Sequence, residues 1–330
     1  MNLFFARLFG KLMTAEKAEK YNEQLIENAK RYRKIEASEE YKEYLQLKDE
    51  VGSASFAAKK QDFLSTKEGK KTWPATDEAK KEARLAALAK SADILFIEKA
   101  DLREVEDTES WQLTFTADFS NATLAKNGFK PGFWFKNPQL KSDFSYIEEA
   151  QAYVGEKNVE TSHGLLSIIT KREEVSAPAW DGKKGFVMHD FHYSSAVINT
   201  GDQFSQPIGK FVAKVRATGK CHSAIYLVGA NRFPVIELFH FNGKHLTLGF
   251  TDKNGAERID VKGIKASDWN LLTCAVNRQE IVWSINNREV FRTKNPLPGQ
   301  ELYFSCQSFA PAQKGAEGRL DIDYIKAYNR

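Results

Sequence analysis

The chain changes texture near Trp111, and that change constrains its fold more than any other feature. Before it, glycine is scarce, Pro74 is the one proline, and apolar residues recur at helical spacing: Tyr21, Leu25, Ala29 and Tyr32, then Tyr41, Tyr44 and Leu45. Ser38 ahead of Glu39 and Glu40 is a helix start, Gly52 and Ser53 a helix stop, and Phe56 and Phe63 mark another short helix. Pro74, Thr76, Asp77 and Glu78 open the Ala-rich stretch that runs to Lys90. After Trp111, Gly, Asn and Pro punctuate short alternating runs such as WQLTFTADF, GKFVAKVRA, SAIYLVG and EIVWSINN. Twelve such strand candidates indicate an antiparallel β-sandwich. Asn242-Gly243, Asn254-Gly255 and Asn286-Asn287 are tight-turn signals between them. The expected organisation is an α-helical arm over residues 1–110 and a β-sandwich domain over 111–330.

Composition narrows the function classes. The 330 residues are 42% apolar and 28% charged, which excludes a disordered or collagen-like chain. No apolar run reaches the ~18 residues of a membrane span. The net charge of +4 is spread over both signs, so no nucleic-acid partner is expected. Cys221, Cys274 and Cys306 are far apart and odd in number, without disulfide or zinc spacing, and read as buried thiols. At the N-terminus, Leu3, Phe4, Leu8 and Leu12 line one side of an amphipathic helix, and Arg7 and Lys11 interrupt any signal-peptide core. The localisation expected from this is cytoplasmic or particle-associated. The arm has two readings, a solvated helical region and a segment for self-association or docking of a protein partner.

The order of the β phrases resembles glycoside hydrolase family 16, the laminarinases and β-glucanases with a concanavalin A-like jelly roll. WQLTFTADFSNATL is similar to the family's first strand, and EEAQAYVGEKNVETSHGLLSIITKRE to its passage of Gln-Tyr, Asn-Val and Gly-Leu. SSAVINTGDQFSQPIGKFVAKVRATG resembles the strands before the catalytic one, DWNLLTCAVNRQEIVWSINNREVFR the late hairpin, and RLDIDYIKAYNR the closing strand. The resemblance covers about residues 111–330 and implies a glycan-related activity.

The family's catalytic strand carries Glu-x-Asp-x-x-Glu. Alternation points the first Glu and the Asp at the substrate, and a bulge re-aims the second Glu. The two glutamates then act as nucleophile and acid/base in retaining hydrolysis. Here the matching phrase is Pro234-Val235-Ile236-Glu237-Leu238-Phe239-His240. Aligning the proline puts Val235 at the nucleophile position, Glu237 at the Asp and His240 at the acid/base. Valine cannot attack a glycosidic carbon, and a two-residue slip that makes Glu237 the nucleophile leaves Phe239 for the Asp. The expectation is therefore a carbohydrate-binding protein that has lost the usual hydrolase site. The alternatives are a β-glycan hydrolase using Glu237, and a structural component of a larger particle.

Other residues are weighed from the same resemblance. His222 takes the place of a platform tryptophan and joins Glu237 and His240 in a constellation suited to acid/base work or a metal. Tyr226 falls near a cleft aromatic, and Trp180 and Trp134 are candidates to stack on sugar rings. Trp269 and Trp283 read as core. His189 and His192 fall on opposite faces of a strand. No cofactor is required, but Asp323, with Asp118 near, matches a place where relatives hold structural calcium; the bland reading is a surface or capping aspartate.

Overall fold

The computed structural model describes residues 12–135, 143–310 and 317–330. It divides into two compact units, one of residues 21–111 and one that joins residues 12–20 to 112–330. The residues Leu3, Phe4 and Leu8 of the expected amphipathic helix lie outside the described residues.

The helices are α1 (Ala15–Glu36), α2 (Glu39–Gly52), α3 (Ala54–Ser65), α4 (Lys67–Thr72), α5 (Asp77–Leu88), α6 (Ala92–Lys99) and α7 (Leu102–Ser110). From α2 onward each opens on a side chain that accepts one of the orphan first-turn N–H groups: Ser38, Ser53, Thr66, Thr76, Ser91 and Asp101. Each cap contributes about 1 kcal/mol. The caps stop one helix and start the next, which lets a polar stretch fold into short helices. Two small cores hold them, one around Tyr32, Ile35, Ile97 and Val105, the other around Tyr44, Leu47, Leu88 and Ile94.

The second unit is a sandwich of two sheets. The seven-stranded sheet runs β13 (Ala256–Val261), β12 (Leu246–Thr251), β11 (Val235–Phe241), β10 (His222–Gly229), β17 (Leu302–Phe309), β8 (Val197–Asn199) and β2 (Lys130–Pro131). The eleven-stranded sheet runs β16 (Arg288–Lys294), β15 (Glu280–Ile285), β14 (Asn270–Val276), β9 (Gly209–Gly219), β18 (Gly318–Asn329), β6 (Leu165–Asp181), β7 (Gly185–Ser195) and β4 (Gln151–Tyr153). Off that path, β1 (Gln112–Ala117) pairs with β18, while β3 (Ser145–Tyr146) and β5 (Val159–Ser162) pair with β6. Alternation drives this packing. In β9, Phe211, Ala213, Val215 and Ala217 are buried while Lys210, Lys214 and Arg216 point away. Between the sheets lie Phe211, Phe239, Phe304, Leu238, Ile225 and Trp283, each fully buried and each stabilising by ~1.5–3 kcal/mol. The hairpins at Asn242-Gly243, Asn254-Gly255 and Asn286-Asn287 form as the turn residues predict, with Asn286 at φ 50° and Asn287 at φ 63°.

The helices end at Ser110, where composition places the change, but not all of the helical region belongs to the helical unit. The start of α1 belongs to the sandwich: Ala15 and Ala18 bury against Leu271, beside Val212, Trp269 and Tyr324 on the outer face of the eleven-stranded sheet. The Asn286 and Asn287 amides donate to the carbonyls of Met13 and Ala18. Small residues at two helical positions let this turn lie close, a feature that composition averages out. All three cysteines are buried and free. No described helix is long and apolar enough to cross a membrane.

Candidate functional site

The outward face of the seven-stranded sheet carries the polar residues that a core would exclude. Register arranges them in rows across the strands. One row runs Arg258, Gly249, Glu237, Tyr226 and Ser305. The next runs Asp260, Thr247, His240, Ala224 and Gln307, and beyond it His222 faces Phe309. On the other side of the Glu237 row stand Thr251, Val235, Val228 and Tyr303.

A β-bulge makes this set possible. The ladders on both sides of β11 shift register between Glu237 and His240. Leu238 and Phe239 both turn to the core, so Glu237 and His240 share the outer face although three positions apart. At the bulge Trp283 of the opposite sheet donates its indole N–H through the core to the Glu237 carbonyl, 2.9 Å away. Trp283 is core, as its sequence context suggests, and it also anchors the site.

Glu237 is 1% exposed, and its carboxylate is fully engaged. Arg258 Nε donates to Oε1 at 2.6 Å, the Thr247 hydroxyl donates to Oε2 at 3.1 Å, and His240 Nδ1 lies 3.4 Å from Oε1. Burial opposes the charge, but the bond to His240, its charge and Arg258 outweigh it and hold the carboxyl below its ordinary range. His240 Nε2 lies 3.5 Å from His222 Nδ1, which continues the line from carboxylate to imidazole to imidazole. Burial, then the charge of His240, keeps His222 down at about 4, so it is neutral at physiological pH. The Phe309 ring lies 4.7 Å from His222. Burial, then the charge of Glu237, raises the Tyr226 hydroxyl, which therefore stays protonated. The described residues hold no group of three or more His, Cys, Asp or Glu able to take a metal.

The structure thus brings together Val235, Glu237, His240, His222 and Tyr226. Trp134 stands beyond the Tyr303 end of the face, edge-on to that ring at 5.0 Å, with its indole N–H on Asp202. Trp180 is not a loop residue. It belongs to strand β6, in a long hairpin with β7, and its ring rests edge-on against Phe186 rather than beside the histidines. The turn signal Asp181-Gly182 is real, but the strand runs right up to it. Trp269 is half-buried rather than sealed in the core, with Arg216 4.7 Å from its ring. His189 lies against Phe191 while His192 pairs with Glu174 at 2.8 Å, so the two stand apart. Asp323 faces the Lys214 ammonium at 2.8 Å, which also reaches Glu19. Asp118 caps the turn at Ser120.

Sequence reading missed Arg258, Thr247 and Phe309, and a second wall from the strand-poor segment before β5. There Glu149 Oε2 accepts the Tyr146 N–H at 2.8 Å, and Gln151 Oε1 accepts the N–H of Ala310, the residue after Phe309, at 2.9 Å. Tyr153 lies close enough to Glu149 and Tyr226 for their charges to oppose its ionisation. The phrase EEAQAY was the one signal for this wall, and it gave no side-chain roles.

No protein-family model matches the sequence, and no curated protein matches it significantly. Solved structures do. The laminarinase catalytic domain of Thermotoga maritima MSB8 is similar at 16% identity and TM-score 0.54, over 67% of this chain and 99% of that one. An endo-1,3-β-glucanase catalytic domain from Thermotoga petrophila RKU-1 is similar at 14% identity and TM-score 0.54, over 66% and 98%. SCLam, a non-specific endo-β-1,3(4)-glucanase of family GH16, is similar at 14% identity and TM-score 0.53, over 67% and 91%. At these identities the likeness is one of fold, and the fold is the jelly roll of the glycoside hydrolase family 16 laminarinases and glucanases.

Proposed function

We propose that the outer face of the seven-stranded sheet binds a neutral glycan without cleaving it. The observation that carries this reading is the state of Glu237. Its carboxylate is enclosed and shared among Arg258, Thr247 and His240, so it offers no free oxygen to an anomeric carbon. Val235, one strand period before it, offers no carboxylate at all, whereas double displacement needs two carboxyl groups across one bond. Flat rings at Tyr226, Phe309 and Trp134 suit the apolar faces of sugars, and Gln307 and the histidines suit hydroxyls.

Neutrality of the ligand follows from charge. The two cations that register puts on this face, Arg258 and Lys130, are both paired, to Glu237 and to Asp202. A sulfated or uronate chain therefore gains little there among the described strand residues. The names of the similar structures make β-1,3-glucan the first ligand to try.

Calorimetry with neutral β-1,3-, β-1,4- and mixed-linkage gluco-oligosaccharides and galactans, beside sulfated galactans, tests this. Binding is expected for a neutral member. Tyr226→Ala or Phe309→Ala should weaken it by about 3–10-fold, the loss of one ring contact. Binding only to the sulfated chains, or to none, discards the reading.

A second reading, a hydrolase with an altered site, has one observation in its favour. Glu237 orients His240 and leaves its Nε2 toward His222, the arrangement of a general base. It predicts reducing ends that disappear in Glu237→Gln.

A further inference from the structure

Hydrogen-bond polarity runs in one direction along the line from Glu237 to His222. Glu237 begins it. Its Oε1 takes the Arg258 Nε–H and its Oε2 the Thr247 hydroxyl, and a carboxylate can only accept. His240 Nδ1 faces that same Oε1 at 3.4 Å and the Thr247 oxygen at 3.3 Å. The Thr247 hydrogen goes to Glu237, so both oxygens present lone pairs to Nδ1. A bare Nδ1 would set lone pair against lone pair. The proton of an uncharged His240 therefore sits on Nδ1 and leaves Nε2 bare. That Nε2 lies 3.5 Å from His222 Nδ1, where two bare nitrogens would repel as well. His222 in turn carries its proton on Nδ1, because the bond made by one ring nitrogen sets the state of the other. Its Nε2 is the end of the line. The ring lies 5.6 Å from that of His240 and 4.7 Å from that of Phe309, both on the outer face, and His222 is half-buried. Among the described residues, the hydrogen-bond partner of this ring is His240, through Nδ1.

We propose that His222 takes a sugar hydroxyl as a hydrogen-bond donor through a bare Nε2, and that His240 is the positioning residue that keeps this nitrogen bare. The proposal rests on the glycan-binding reading above and names what the site selects at this point. A hydroxyl has a hydrogen to give, whereas a ring or glycosidic oxygen has none. The surroundings agree with an uncharged His222, which burial holds down at about 4. The groups that face the two rings are Glu237 on β11, Tyr226 on β10, Thr247 on β12 and Phe309 on β17, with Arg258 of β13 bound to Glu237. A second proton on His240 would reverse the line. Its Nε2–H would then donate to His222 Nδ1 and make His222 Nε2 a donor.

The test has two readouts, both on the full chain at about pH 8.5, above the ordinary range of imidazole. The first is nitrogen-15 NMR of histidine-labelled protein without ligand, in which a bare ring nitrogen resonates far downfield of a protonated one. His222→Gln and His240→Phe assign the two rings by the signals they remove. Both rings of the wild type should show a protonated Nδ1 and a bare Nε2. His240→Phe keeps a ring and removes the acceptor, so the His222 proton should move at least in part to Nε2. The second readout is calorimetric affinity for the neutral oligosaccharide that binds best. His222→Phe should bind it about 3–10-fold more weakly, the loss of one hydrogen bond, and His222→Gln, whose amide oxygen accepts, should recover most of that loss. Circular dichroism checks that the variants fold; where His240→Phe does not, the wild-type tautomer of His222 still decides. A protonated Nε2 on wild-type His222, an imidazolium at either ring, or a His222 tautomer unmoved in His240→Phe overturns the proposal and leaves the glycan-binding reading standing. Equal binding by wild type and His222→Phe does the same. Absence of binding by the wild type overturns that reading, and the role of His222 with it.

Discussion

Glycine at position 249 decides whether Arg258 reaches Glu237. Gly249 stands between them on β12, and a Cβ there would lie 2.1 Å from the Glu257 carbonyl oxygen, at a φ of +154°. With no side chain in the way, the guanidinium crosses a whole strand to a carboxylate that burial alone would push toward neutrality. Arg258→Ala should therefore cost about 1–3 kcal/mol in denaturant unfolding at pH 7, discounted because the arginine side chain is 46% exposed. The sign with pH is fixed by the depressed carboxyl. Its contribution is present above the ordinary 4.5 and fades as pH falls through the folded value, so wild type and variant should converge in acid. A difference that stays constant down to pH 3 would mean that lost packing, not charge, was measured.

At the scale of elements, the site depends on one extra residue in β11. The bulge at Leu238 turns His240 to the face of Glu237, and the Trp283 indole pins the bulge from the opposite sheet. Trp283→Phe keeps most of the buried volume and removes that bond. It should lower stability by about 1–3 kcal/mol. It should also weaken glycan binding although Trp283 touches no ligand; unchanged affinity with reduced stability would show that the bulge holds its shape without the indole. This also marks what was legible beforehand. The Asn-Gly turns and the alternation of β9 act through neighbours in sequence, so the strands around them could be read. The Glu-x-x-His spacing of Glu237 and His240 anticipated the bulge through resemblance. Arg258 could not be read, because its partner lies two strands away, and the two- and three-residue strands β3 and β4 are too short to show any period. Trp180 was misplaced because a turn signal cannot say how far β6 runs toward it.

At the scale of the molecule, composition found the change of structure near Trp111 but not that the start of α1 belongs to the sandwich unit. The first turn of α1 has the composition of a helical arm, yet Ala15 and Ala18 seal Leu271 of the sandwich, and Lys214 ties Glu19 to Asp323. The sandwich keeps the laminarinase fold at 16% identity or less with the structures named, because fold demands only alternation, turns and a filled core. The fold leaves the chemistry of the outer face free to change. The most direct measurement is a crystal structure of the protein with the neutral oligosaccharide that binds it best. An uncut chain across Tyr226 is expected, with sugar oxygens within about 3.2 Å of His222 and a ring face on Phe309. A chain bound elsewhere, or one cleaved beside Glu237, would contradict it.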